Sequence, residues 1–274
     1  LIQNADDNTF ENDVVPTVAF HLGGSENAWQ MRIDCNEVGF GKENIEALCR
    51  IGDSTKKVKD RTKGYIGEKG IGFKSVFKVA NAVHISSKAY SFRFDRRGML
   101  GMITPIIETF PPSNLIGGVQ RQVEGEGKET QLLLELMGES EFKSINDELQ
   151  KLKPQILIFL RKIRKLTLHT PDQDVQFEIQ RVAEDQDLDG KETATLTRMS
   201  LRNNEKTAEK YLIVRRLQGS LAKDDRRDNI DVTEAVLAFP VYKNGQPLVQ
   251  AQHTYAYLPI NDYGFNVSCL FSQY

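Results

Sequence analysis

Apolar and polar positions alternate along much of this chain, and only a few stretches carry a helical period. Val14 to Leu22 is β-branched and alternating, which predicts a strand after Pro16. Trp29 to Ile33 predicts a second strand ending at Asp34. Ile45, Leu48 and Cys49 fall at i, i+3 and i+4 and predict a short helix over 42–50, closed by Gly52. Residues 53–66 have no period and read as a polar loop. After the glycines of 67–72, Val76, Phe77 and Ala80 return to helical spacing. Val83–Ser86, Tyr90–Phe94 and above all Thr130–Leu136 read as strands, with a Pro/Gly/Glu-rich connection over 111–129. Ile145, Leu149, Leu152, Ile156, Leu160 and Ile163 share one helical face, and Pro154 is expected to split that run or start a second helix. A strand over 165–170 follows. From Pro171 short alternating segments take over, at 175–179, 211–215, 236–242 and 253–258, with Asn244-Gly245 as a hairpin signal. The change in character sets a domain boundary near residue 170.

Composition narrows the picture. A length of 274 residues suits one large domain or two modest ones, and 39% hydrophobic residues are enough for a core. A formal net charge of −2 excludes a chain that binds polyanions through its overall charge, and nothing points to nucleic acid. No stretch approaches the roughly 18 consecutive apolar residues of a membrane span. Cys35, Cys49 and Cys269 are too few and too scattered for a disulfide framework or a closed zinc site. They read as reduced thiols of an intracellular protein, nuclear or cytoplasmic. Residue 1 is Leu and is read as lying inside a longer natural chain.

Three polar elements carry candidate chemistry. The first is Gly67-Glu68-Lys69-Gly70-Ile71-Gly72-Phe73-Lys74-Ser75, three glycines where a loop runs into a helix. Glycine lets backbone N–H groups approach an anion, and a helix N-terminus adds free donors. A tight loop that needs positive φ explains the cluster about as well. The spacing is neither GxxxxGK[ST] nor GxGxxG. From Lys56 to Lys78 eight basic residues face only Asp60 and Glu68, a local +6 in a chain of −2. The second element is Asp34-Cys35-Asn36-Glu37-Val38-Gly39-Phe40, a strand end whose carboxylates and amide suit either a purine edge or an ordinary turn. The third is Gln3-Asn4-Ala5-Asp6-Asp7, where Asn4 and Asp7 share a helix face. An amide oxygen beside phosphates suits Mg²⁺, although a polar helix end accounts for the segment too. His21, His84, His169 and His253 have no metal-binding spacing, and there is no G-x-S-x-G element.

Taken in order, QNADD, NEVGF, the basic loop and GEKGIGFKSVF resemble the GHKL ATPase superfamily of gyrase B, MutL, sensor histidine kinases and the ninety-kilodalton heat-shock chaperones. Within it the nearest likeness is to chaperone-type ATPase modules of the sacsin and NO VEIN-like kind, including large fungal relatives. LIQNADD, IGDSTKK, ILIFLRKIRKL and YAYLPINDYGF extend the resemblance over most of the chain. It implies an α+β chain. Residues 1–170 would form a two-layer α/β sandwich of the Bergerat type, an ATP-binding domain with a mixed, mostly antiparallel sheet and helices on one face. Residues 171–274 would begin a second α+β domain like the chaperone middle segment.

The same resemblance implies ATP and Mg²⁺ as cofactors. Asn4 matches the Mg²⁺ ligand, and Asp7 an acidic position facing the nucleotide. Gly39 matches the second glycine of the adenine-side motif. Its carboxylate falls, without a gap, on Cys35. Asp34, Asn36 and Glu37 are neighbours that can substitute, and Asp34 and Asn36 are retained as the candidates. Lys56 matches a lid residue that approaches the phosphates. Gly67, Gly70 and Gly72 match the phosphate-side glycines, with the N–H groups of 70–73, Ile71 and Phe73 included, facing the γ-phosphate. Thr130 matches a strand threonine that hydrogen-bonds near adenine.

The general-base Glu of the superfamily would precede Leu1, so no catalytic residue is assigned within the chain. The Arg of the following domain would lie after Tyr274. The residues by themselves are expected to bind ATP weakly or not at all, with negligible turnover. Hydrolysis coupled to lid and domain closure is expected of the full-length protein, with client proteins and self-association as further expectations. Two other classes stay open: a nucleotide-sensing scaffold that binds ATP without turnover, and a transferase of the histidine-kinase type, which needs an upstream phosphoacceptor His.

Overall fold

The computed structural model describes residues 1–26, 28–49, 72–112, 130–183, 191–219 and 232–242, with short pieces at 245–246 and 248–249 and the backbone of 253–256, 258–262 and 268–271. The described residues are built mostly of strands, with few helices, which corrects the expected two-layer sandwich with its layer of helices on one face. The physical reason is helix length. Helices α1 (Ile2–Asp7), α2 (Lys42–Cys49) and α4 (Ile156–Phe159) have 6, 8 and 4 residues, and among the described residues only α3 (Glu139–Lys151), with 13, exceeds three turns. The helix expected after the glycines is a 3-10 helix over Phe73–Lys78, and Ala80 already belongs to the next strand.

The chain divides into two compact units, Leu1–Leu152 with Lys165–Val175, and Lys153–Arg164 with Gln176–Tyr274. The first carries strands β1 (Thr17–Gly23), β2 (Gln30–Cys35), β3 (Ala80–Ser87), β4 (Tyr90–Asp95), β5 (Ile106–Ile107), β6 (Thr130–Leu136) and β7 (Lys165–His169). Their order is β7-β1-β2-β6-β3-β4-β5. β7 runs parallel to β1, and the other neighbours are antiparallel. Successive side chains point to opposite faces. The register therefore puts Phe20, Ile33, Leu132 and Ile85 in one row, and Leu22, Met31, Leu134 and Val83 in the next. Phe92 and Phe94 extend this apolar face, edge to face at 5.5 Å. Trp29 stacks on Phe142 of α3 at 4.2 Å.

The opposite face carries charge. Asp34 is buried and takes a hydrogen bond from Arg32 Nε at 2.7 Å, with His21 Nε2 at 3.1 Å. Burial by itself would raise the Asp34 carboxyl, but the hydrogen bonds from His21 and Arg32 hold it below the ordinary carboxylate value. The hydrogen bond from His84 does the same for Glu135, against its partial burial. His84 is itself held between Glu108 at 2.7 Å and Glu135 at 2.8 Å. Because both carboxyls have lower values folded than unfolded, their contribution to stability is present above about pH 4 and lost as the pH falls through the folded values. Thermal melts are expected to show a midpoint that drops steeply below about pH 4. Asp34→Asn should flatten that drop, and a flat wild-type profile would contradict it.

In the second unit, the described residues contain α4 and strands β8 (Asp174–Ala183), β9 (Lys191–Ser200), β10 (Lys206–Gly219), β11 (Val232–Val241), β12 (His253–Ala256), β13 (Leu258–Asp262) and β14 (Ser268–Phe271). This is a strand-built unit where a second α+β domain was expected. Pro154 does interrupt the 144–163 run: α3 stops at Lys151, Leu152 is extended at ψ 132, and Leu160 and Ile163 lie outside any helix. The carbonyls at the end of α4 are taken up by arginines. Arg181 Nη2 donates to the oxygens of Leu157, Ile158 and Leu160, and Arg215 Nη2 to that of Ile158. Glu192 accepts from Arg215 Nε at 2.9 Å. Arg181→Met strips these carbonyls of a charged donor and is expected to cost roughly 2–4 kcal/mol in chemical denaturation, since bonds to charged groups are worth about 1.5–3 kcal/mol each and do not add fully.

Candidate functional site

The candidate residues that fall on described positions lie in the first unit. Helix α1 brings in Asn4. The Cα of Gly72 faces the Asn4 amide so closely that a β-carbon there would lie 3.3 Å from Asn4 Oδ1 and 3.6 Å from Nδ2. Asn4 and Gly72, from the third and the first of the polar elements, are therefore neighbours. Asp7 is buried, and so is Asp6 beside it. Past the helix, the Thr9 carbonyl accepts the N–H of Val38 at 2.9 Å. This ties the chain just after α1 to the 36–40 turn.

The 36–40 turn carries the buried polar chemistry. Glu37 is 4% exposed, and the Thr130 hydroxyl donates to its Oε1 at 2.5 Å. Ser87, fully buried, lies 2.6 Å from the Thr130 oxygen and accepts the N–H of Phe40 at 2.8 Å. Since the Thr130 proton goes to Glu37, Ser87 must be the donor to Thr130. The chain of donors therefore runs Phe40 N–H, Ser87, Thr130, Glu37 carboxylate. Gly39 holds the turn at φ +80, a left-handed value that disfavours any side chain. The alkyl stem of Lys88 lies against it, with Cγ 2.7 Å from where a β-carbon would be.

The two retained adenine-side candidates are committed elsewhere. Cys35 is opposite Thr130 in the β2–β6 register, so the neighbouring Asp34 points to the other face, with Arg32 and His21. Asn36 closes the start of β1, accepting from Thr17 N at 2.7 Å and donating to the Val15 carbonyl at 2.9 Å. Glu37, past the strand end and free of its alternation, supplies the carboxylate beside Thr130. Its signal in the sequence was only its place before Gly39. Ser87 and Lys88, a Ser-Lys pair in a hairpin turn, gave none.

On the glycine side, Phe73 packs near Phe94 with ring centroids 6.2 Å apart. Lys74 is half-buried. Its ammonium donates to the carbonyls of Leu48, at 2.6 Å, and Met102, and lies 4.6 Å from the Phe94 ring centroid. Burial lowers its pKa, against the opposing pull of the Cys49 sulfur. Lys74 therefore anchors the turn to the end of α2. Lys56, Gly67, Gly70 and Ile71 lie outside the described residues, as does most of the basic segment.

No family model matches the chain. The chain is related in sequence to a much larger plant protein, with 38% identity over 175 residues, which is 60% of this chain and 6% of that protein. That relative is Protein NO VEIN of Arabidopsis thaliana. The chain thus corresponds to a small part of it.

Proposed function

We propose that this chain is an ATP-binding module whose nucleotide binding depends on Mg²⁺. The observation that carries the reading is the position of α1. Its Asn4 amide stands against Gly72, and the chain just after it is bonded to the turn bearing Glu37. The surroundings of the amide fit a hard cation held with phosphates. Asn4 is half-buried and offers one oxygen, and a β-carbon at 72 would crowd it. In this reading Asn4 would hold Mg²⁺, which neutralises phosphate charge. Gly72 leaves room for phosphate oxygens beside it. Glu37 and Thr130 bind the base, and Gly39 lets the backbone approach it.

Titration calorimetry tests this on the protein expressed with its native flanking sequence. Asn4→Ala is expected to weaken ATP binding at least about tenfold with Mg²⁺ present, the scale of one charge-assisted bond, and much less in EDTA. Equal effects in both conditions would sink the assignment of Asn4. A second reading is a sensor that binds ATP without turning it over. It is favoured by Cys35, in place of an acid, standing opposite Thr130. Phosphate release from the same protein separates the two. In the first reading chaperone-type domain closure would be the output of turnover.

A further inference from the structure

We propose that Lys74 is the positioning residue of the phosphate side: it fixes the turn after Gly72 and holds an uncancelled positive charge there for the phosphates of the ligand. The inference rests on the nucleotide reading above and deepens it. A lysine drawn partly out of water is ordinarily paired with a carboxylate, because desolvating an ammonium is costly until an opposite charge offsets it. Lys74 is placed differently. Its ammonium donates to two neutral oxygens, the carbonyls of Leu48, at 2.6 Å, and of Met102. It lies 4.6 Å from the Phe94 ring centroid and 5.8 Å from that of Phe73. Among the described residues no carboxylate pairs with it. The titratable group that acts on it is the Cys49 thiol, and burial raises the pKa of that thiol, which keeps it neutral. Carbonyls, rings and a neutral thiol orient the ammonium and leave its unit charge whole.

That charge is also held in place. Lys74 belongs to the 3-10 turn Phe73–Lys78, two residues past Gly72. The Gly72 carbonyl accepts from Ser75 Oγ at 2.6 Å, and Arg96 Nη1 donates to the Phe77 carbonyl at 2.8 Å. The turn is thus tied to the end of α2 by Lys74, and to the chain after β4 by Lys74 and Arg96. An exposed lysine loses rotamer freedom each time it meets an anion. Lys74 is already fixed by its two carbonyls, so its charge acts without that cost, as a preorganised group does. Half-burial makes the same charge stronger than it would be in open water. A phosphate chain beside Gly72 supplies the missing negative charge, and a base or a ribose does not. A lysine that served only to tie the turn would act alike on every ligand of the site.

Two ligands that differ only in their phosphates, Mg-ATP and adenosine, separate the two roles. Calorimetry follows the first and an NMR shift titration at millimolar concentration the second, both on the protein with its native flanking sequence. Lys74→Gln keeps an N–H donor for the carbonyls and removes the charge. It is expected to weaken Mg-ATP binding roughly tenfold and to change adenosine binding by less than about twofold. Lys74→Arg keeps the charge and should recover most of the ratio between the two affinities. If Lys74→Gln does not fold, Lys74→Met, whose flexible apolar chain suits the Phe94 ring, carries the same comparison. Equal losses for ATP and adenosine would give Lys74 a purely structural role, and an unchanged ATP affinity without the charge would remove it from the site. Either result overturns this proposal and leaves the ATP reading standing. A wild type that binds neither ligand overturns both.

Discussion

Gly72→Val is expected to reduce Mg-ATP binding by roughly 10- to 150-fold, the equivalent of about 1.5–3 kcal/mol for one charge-assisted bond. The argument is steric and local. Gly72 has φ −56 and ψ −48, an ordinary helical conformation that valine adopts without left-handed strain. Its β-carbon would already stand 3.3 Å from Asn4 Oδ1, and the two γ-carbons would occupy the space beside the amide. The amide would turn or lose access to a phosphate-bound cation. Gly72→Ala, with one carbon, should cost less. Far-ultraviolet circular dichroism should be unchanged in both variants. A Gly72→Val protein that binds Mg-ATP as the wild type does would remove Asn4 and Gly72 from the nucleotide site.

Thr130→Val should be the most damaging isosteric change in the first unit, at roughly 2–4 kcal/mol of stability. It removes the donor to the Glu37 carboxylate and the acceptor of the Ser87 hydroxyl, and both partners are buried. Leaving a buried polar group without its partner costs about 1–3 kcal/mol, and more when the group is charged. Glu37→Leu combined with Thr130→Val should recover part of the loss, because removing both partners leaves less unsatisfied. Urea denaturation of the two single variants and the double variant measures this. Strict additivity would mean that the two side chains act independently, contrary to their 2.5 Å hydrogen bond.

The parts of this molecule that were legible in its sequence are those where one face of a strand is apolar. Val83–Ser86 alternates and Thr130–Leu136 is a leucine-rich run, and both lie in strands, β3 being longer at each end. β10 was seen only at 211–215. Its first five residues, Lys206–Lys210, are exposed and, apart from Ala208, polar, and pairing with β9 holds them in the strand without a strong hydrophobic signal. The helical layer was over-read, because Val76, Phe77 and Ala80 have helical spacing yet only a 3-10 turn forms before Ala80 enters the sheet. At the site, Asn4, Gly39, Gly72 and Thr130 came from the resemblance. The carboxylate did not, because Asp34 and Cys35 obey strand alternation while Glu37 lies beyond the strand. Only the β2–β6 register separates the face of Thr130 from the face of Asp34.

Hydrogen–deuterium exchange on the protein with its native flanking sequence, with and without Mg-ATP, tests the central claim most directly. Protection is expected to appear together in five separate stretches, 1–8, 36–40, 72–79, 86–88 and 130–132, and to need a correspondingly higher Mg-ATP concentration in Asn4→Ala. No protection by saturating Mg-ATP in any of these stretches, or protection confined to the second unit, would contradict the account.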